Sequence, residues 1–195
     1  MARGPRYRVQ YRRRREHKTD YSTRRALVIT GVPRMVVRVS NKSVLAQVTN
    51  AEIKGDYVIA QAASRDLSQF GWKASGKNTS AAYLVGYLVG KKALEAGITR
   101  VNLDIGLRRA THGGKVFAVA RGALDAGLEI PCDSDIIPSA ERVSGGTVAK
   151  YAEQLDDPLE YERRFSVYLR RGLRPEELPA HFEEVKAMIE ENRVE

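Results

Sequence analysis

The sequence predicts an α/β protein: a mixed β-sheet with flanking helices, a basic N-terminal arm and a helical, acidic C-terminal extension. Three observations carry this. Two successive segments between residues 34 and 49 alternate with a period of two, the signature of half-buried strands, and a third strand segment follows over 56–63. A helix-to-strand step then occurs twice with nearly the same punctuation, Ala93-Leu-Glu-Ala-Gly97-Ile98 and Ala123-Leu-Asp-Ala-Gly127-Leu128. Finally, charge is segregated. Residues 1–25 hold ten basic and two acidic side chains, whereas the other 170 hold 23 and 22. The chain divides accordingly into an arm (1–25), a body (26–152) and an extension (153–195).

The arm has one aliphatic residue beyond its first two, Val9. It cannot bury enough apolar surface to offset its ordering entropy, so alone it is expected to be disordered. A short helix follows over Thr19 to Ile29, with Asp20 or Ser22 as N-cap and Gly31 closing it. Pro33 blocks its continuation. Strands are predicted over Arg34 to Ser40, Ser43 to Thr49 and Asp56 to Ala63. The Asn41-Lys42 link suits a two-residue hairpin in which Asn41 takes a positive φ. Asn78 to Ala96 reads as a helix that is apolar around most of its circumference and hence buried. Its Gly86 and Gly90 weaken it but permit another backbone to come close. A strand at Val101 to Ile105, a helix over Gly114 to Ala126 and a short strand at Leu128 to Ile130 complete a sheet of ribonuclease H-like topology.

From Ser144 the chain turns helical and acidic, with twelve acidic and seven basic residues in 153–195. Pro158, Pro175 and Pro179 break it into short helices, the last from Pro179 to Asn192. Phe182, Val185, Met188 and Ile189 form a narrow apolar stripe there, expected to dock on the protein's own body.

Composition narrows the partners. A pI near 9.8 favours nucleic acid over an anionic membrane. The lone Cys132 excludes a disulfide framework and fits a reducing cytosol. The longest apolar run, Ala81 to Val89, is far too short to span a bilayer, so a soluble, cytoplasmic protein is expected, with no membrane partner.

Catalytic signatures fail in turn. A two-metal nuclease needs several carboxylates converging on its ions, and in a ribonuclease H-like sheet the first strand supplies one. Here that strand has no acid and presents Arg34 and Arg38. Asp104, alone in the fourth strand, reads as a hydrogen-bonded structural carboxylate. Gly86 to Lys92 mimics a phosphate loop but is one residue short, has Lys92 in place of the hydroxyl and lies within a helix. His17, His112 and His181 lack metal spacing, and no cofactor or metal is expected. The competing reading is a metal-dependent nuclease of ribonuclease H-like fold.

The nucleic-acid signals are stronger. Arginine outnumbers lysine nine to one in the arm, which suits bidentate phosphate contacts. Its candidate RNA-binding residues are Arg3, Arg6, Tyr7, Arg8, Tyr11, Arg12, Arg13, Arg14, Arg15, His17, Lys18, Tyr21, Arg24 and Arg25. The tyrosines are placed to stack on unpaired bases. On the body the candidates are Arg34, Arg38, Asn41, Lys42, Lys73, Lys77, Arg108, Arg109, His112 and Lys115. The segment His112-Gly-Gly-Lys115 runs into a helix N-terminus, whose free N–H groups favour phosphate. Trp72 is expected to plug the core.

Several of these segments match a known family. They are Gly4-Pro-Arg-Tyr7, Arg12-Arg-Arg-Arg-Glu16, Thr19-Asp-Tyr21, Pro33-Arg34, Val37-Arg-Val-Ser-Asn-Lys42, Tyr83-Leu84 with Gly86, Leu103-Asp-Ile-Gly-Leu107, Lys115-Val-Phe-Ala118 and Gly122-Ala-Leu-Asp-Ala-Gly-Leu128. In order, they resemble the universal large-subunit ribosomal protein eighteen family in its archaeal-type long form. The resemblance spans essentially the whole chain. It implies a protein without catalytic activity that binds 5S rRNA and seats it on the large-subunit (23S-type) rRNA in the central protuberance, its arm threaded between the two RNAs. It also implies ribosomal protein number five as a neighbour, and it matches the acidic tail to an extension that contacts protein or rRNA at the periphery.

Overall fold

A computed structural model describes residues 4–191. Arg3 and the expected helix end at Asn192 lie outside the described residues. The sheet contains β1 (Arg34–Val39), β2 (Val44–Glu52), β3 (Gly55–Ala63) and β4 (Asn102–Asp104), in the order β3-β2-β1-β4. The first three strands form the antiparallel meander, and β4 joins β1 in parallel. The class is the predicted one, a mixed sheet with flanking helices.

Helix α1 (Arg12–Arg15) is a single turn in the arm, and α2 (Tyr21–Ile29) is N-capped by Asp20, which accepts from the Ser22 and Thr23 amides. Helix α3 (Thr79–Glu95) is capped by the Asn78 side chain at 2.7 Å from the Ala81 amide. It crosses α4 (Lys115–Asp125) at backbone contact. A Cβ on Gly86 would lie 2.0 Å from the Val119 carbonyl oxygen, and one on Gly122 would lie 2.1 Å from that of Tyr83. The seam accepts only hydrogen at these positions. These two helices cover the apolar face of the sheet, where Met35, Val37, Ala46 and Val48 are wholly buried. On the other face β1 presents Arg34, Val36 and Arg38, since side chains alternate along a strand.

Two expectations are corrected. The segment 128–130 is not a strand: only Glu129 pairs, in a parallel bridge with Arg100. Gly127, at φ +108°, and Pro131 bound the segment, and its bridge partner Arg100 lies outside β4, so no partner edge continues the pairing. The β1–β2 turn also differs, because His17 is the one non-glycine with positive φ among the described residues. Asn41 does not need it. The Ser40 hydroxyl accepts from the Lys42 and Ser43 amides, and the Ser40 amide donates to the Ser43 carbonyl at 2.8 Å, so side-chain bonds close the turn.

The C-terminal third contains α5 (Ala140–Ser144), α6 (Gly146–Glu153), α7 (Pro158–Arg170) and α8 (Leu178–Glu191). Pro158 sits in the first turn of α7 and Pro175 in a 3₁₀ turn, positions where a missing N–H costs nothing. The stripe of α8 docks on the body: Leu178, Phe182, Val185 and Ile189 are buried in the core cluster, while Met188 stays half-exposed. The Phe182 ring lies 5.4 Å from that of Tyr83. Lys91 donates to the Ile189 and Glu190 carbonyls, both at 2.8 Å, capping the end of α8. Burial first, then the Glu190 bond, pushes the Tyr87 hydroxyl up to about 12. Trp72 is buried as expected, its face 5.2 Å from the His181 ring.

Candidate nucleic-acid interface

The polar face of the sheet, where a nuclease would hold metals, carries a chain of alternating charges. Arg24 of α2 meets Asp56 of β3 at 2.7 Å. Asp56 meets Arg34 of β1 at 2.9 Å, and Arg34 meets Asp104 of β4 at 2.8 Å. Arg38 closes the series, 3.5 Å from Asp104 and 3.2 Å from its carbonyl oxygen. Asp104 also accepts from the Gly106 amide at 2.8 Å. Both carboxylates are therefore occupied by guanidinium groups, and Asp104 is the structural residue expected. No group of three or more His, Cys, Asp or Glu residues suited to a metal occurs among the described residues.

Arg34 is the predicted site residue that the structure does not bring to the surface. It is 2% exposed and bridges Asp56 and Asp104, because β1 is an inner strand and its polar face is roofed by α2 and Gly106. Arg38, half-exposed, lies at the edge of the same cavity, which is also lined by Arg13, Lys18 and Arg24 from the arm. The chain of charges thus ties the arm's second helix to the sheet.

Among the described residues the arm buries none. Arg6, Tyr7, Arg8, Tyr11, Arg12–Arg15, His17, Lys18 and Arg25 are all exposed. The one-turn α1 spaces four arginines around a single helical turn, which the sequence did not reveal because four arginines carry no periodic apolar signal. Arg12 is offset by Glu16 at 3.1 Å, and Arg13 is held by the Thr19 hydroxyl at 2.9 Å. Tyr11 packs at 5.3 Å against Tyr21. Asp20 is held below the usual carboxylate range, chiefly by the Thr23 hydroxyl and then by the two cap amides.

On the body, five predicted residues converge although they come from three separate loops. Asn41, Lys77, Arg108, Arg109 and Lys115 line one open cleft of about 550 Å³ at the start of α4. The Lys115 ammonium is held below the ordinary lysine range, first by partial burial and then by Lys77, Arg108 and Arg142. Five cations therefore share this region, four on the cleft wall and Arg142 beside them, and none of the lining residues is acidic. Arg142, on α5, was missed; nothing in its local sequence marks it. His112 turns instead toward the Asp135 carbonyl, 3.3 Å away. Lys42 and Lys73 face a second cleft.

The fold and these surfaces define a class: a basic α/β protein whose sheet carboxylates neutralise its own arginines and whose free cations gather on an arm and on loops. The chain belongs to the family described as ribosomal large subunit proteins 60S L5 and 50S L18, whose profile matches residues 5–100 and 95–133. It is 55% identical over 194 residues to the large ribosomal subunit protein uL18 of Aeropyrum pernix, an alignment covering 98% of this chain and 91% of that one. The uL18 proteins of Caldivirga maquilingensis and Methanothermobacter thermautotrophicus are 53% and 49% identical, each across 98% of this chain and 94% and 99% of their own. This is a family of structural ribosomal proteins and not of enzymes, and the nuclease alternative finds no support. No helix among the described residues is long and apolar enough to cross a membrane.

Proposed function

We propose that this chain is a structural component of the large ribosomal subunit, at the cytoplasmic ribosome, that binds 5S rRNA and attaches it to large-subunit rRNA in the central protuberance. The observation that carries the RNA reading is the arm: eight net positive charges in 25 residues, with no buried side chain among those described. Glu16 offsets Arg12 and Lys18, and Asp56 offsets Arg24, but these acids leave most of the arm's positive charge uncompensated, and a polyanion would supply the rest. Phosphate contacts from Arg6, Arg8, Arg12–Arg15, Lys18 and Arg25 would position the protein, while Tyr7 and Tyr11 stack on unpaired bases. The cleft of Lys77, Arg108, Arg109 and Lys115 would take a second length of backbone and fix the register. Ribosomal protein number five is the proposed neighbour on 5S rRNA. The division of labour follows the same lines, with 1–25 as the clamp, 26–152 as the body that aims it and 153–195 as the extension bound to that body.

The test is binding to purified 5S rRNA across a salt series with magnesium present, with RNA integrity checked afterwards. The expected result is tight binding, intact RNA and a slope of log K on log salt of roughly 0.7–0.9 per phosphate neutralised. Affinity no greater for 5S than for bulk RNA would refute the 5S assignment, and magnesium-dependent cleavage would refute the structural role.

A further inference from the structure

The turn at residues 40–43 separates two basic clefts. The first, with Asn41 on its wall, is the one described above. The second, of about 590 Å³, opens on the other side, with Lys42 and Ser43 on its wall. Arg65 and Lys73 line it from the segments after β3, and Arg171 reaches it from the end of α7. No lining residue is acidic. Lys42, Lys73 and Arg171 have no carboxylate within 4 Å among the described residues, and Arg65 has only Asp66 at 3.8 Å. The floor is firm. A Cβ on Gly76 would come within 2.9 Å of the Ser64 hydroxyl and 3.4 Å of the Lys42 carbonyl, so the 73–77 loop lies directly against the hairpin.

Arg171 is the informative member. It belongs to the C-terminal segment, whose net charge is −5 by its twelve acidic and seven basic residues. Yet it points away from that segment's acids and donates to the Lys73 and Ala74 carbonyls at 3.3 and 2.8 Å. This fixes its charge at the rim beside Lys73. Four like charges around one cleft repel one another, and this arrangement is stable only at the cost of a nearby anion or full hydration. Guanidinium forks and serine hydroxyls suit phosphodiester oxygens, and the cleft adjoins the first across a single turn.

We infer that the cleft of Lys42, Arg65, Lys73 and Arg171 is a second groove for an RNA phosphodiester backbone, and that Arg171 gives the acidic C-terminal segment a direct part in holding RNA. This rests on the RNA-binding reading above. The decisive experiment compares three full-length proteins on purified 5S and large-subunit rRNA: the natural chain, Lys42→Gln/Arg65→Gln/Lys73→Gln/Arg171→Gln, and Arg12–Arg15→Gln. The cleft variant is expected to lower the salt slope on at least one RNA by roughly 3, as four phosphate contacts require. It should also expose nucleotides to chemical probing that the arm variant leaves protected. If the arm variant flattens the slope and the cleft variant does not, the groove is refuted while the RNA reading stands. If neither changes it, the reading itself fails. Unchanged RNA binding together with capture of a polyglutamate peptide would reassign the cleft to an acidic protein partner. Should Arg171→Gln impair folding through its two carbonyl bonds, the Lys42/Arg65/Lys73 triple variant, with an expected slope change of roughly 2, serves as the same test.

Discussion

The two ends of this chain are both helical, charged and rich in arginine, and they behave in opposite ways. The N-terminal arm carries two helices, α1 and α2, neither with a buried residue. The C-terminal segment carries α8, which buries Leu178, Phe182, Val185 and Ile189 and is stapled by Lys91 and Tyr87. Their net charges are opposite, +8 over 1–25 against −5 over 153–195, but charge alone does not decide which end is buried. What separates them is the spacing of apolar residues, which gives α8 a stripe that leaves water and gives α1 none. The arm is tied to the body by an ion pair at one point, Arg24 on Asp56, and its other described cations are exposed. One end completes the core; the other is held out for a partner.

The largest expected effect that can break this contrast is on stability. Phe182→Ala should cost about 3–5 kcal/mol by denaturant titration, and a loss under 1 kcal/mol would mean that the last helix merely rests on the body. Next comes Arg12–Arg15→Gln, which should flatten the salt slope of RNA binding by roughly 3 while leaving the melting temperature unchanged. A lowered melting temperature would show that the arm is part of the fold after all. A smaller effect with a telling sign is expected from Asp56→Asn. Simple electrostatics says that removing an acid beside the arm strengthens RNA binding. If Asp56 positions α2 through Arg24, affinity falls instead, by about fivefold, on the scale of one partly buried ion pair. Measured strengthening would discard the positioning role.

Asp104→Asn sharpens the same point from within the body: RNA affinity should hold at low temperature while stability drops, because the buried Arg34 would lose the buried one of its two counter-charges. A large loss of RNA affinity in protein shown to be folded would contradict that. The smallest effect is on pH. His181 accepts the Lys73 amide at Nε2, 3.1 Å away, and burial holds its imidazole below the ordinary histidine range of 6.5. A base whose folded value is depressed stabilises above its unfolded value and loses that contribution as pH falls through the folded one. Melting temperature should therefore decline below pH 6.5, on the order of a few degrees, and the decline should vanish in His181→Asn. A pH-independent melt of the natural chain would remove the imidazole from the docking of α8.

Much of this was legible beforehand because it depends on neighbours along the chain. The two-residue alternation of 34–49, the Gly97 stop and the near-neutral charge outside the first 25 residues are local properties, and the strands and the end of α3 follow from the first two. The absent acid in β1 also spoke against a metal site before any geometry was known. What failed is equally physical. The 128–130 segment has strand-forming residues, but whether a strand pairs depends on how much partner edge it meets, and there it meets only Arg100. The turn at Asn41 was misjudged because a serine hydroxyl did the work expected of a left-handed backbone.

The candidate surface divides in the same way. Which residues are cationic, and that they concentrate in the first 25 residues, was determined by the sequence alone, since charge composition needs no fold. Which cations meet was decided only by tertiary structure. Arg34 points inward because it lies on an inner strand opposite two carboxylates distant in sequence. Arg142 and Arg171 join basic clefts from helices that the sequence marks as unrelated or acidic. Electrostatic neighbourhoods form through space between segments up to about a hundred residues apart, and only the folded chain specifies those distances.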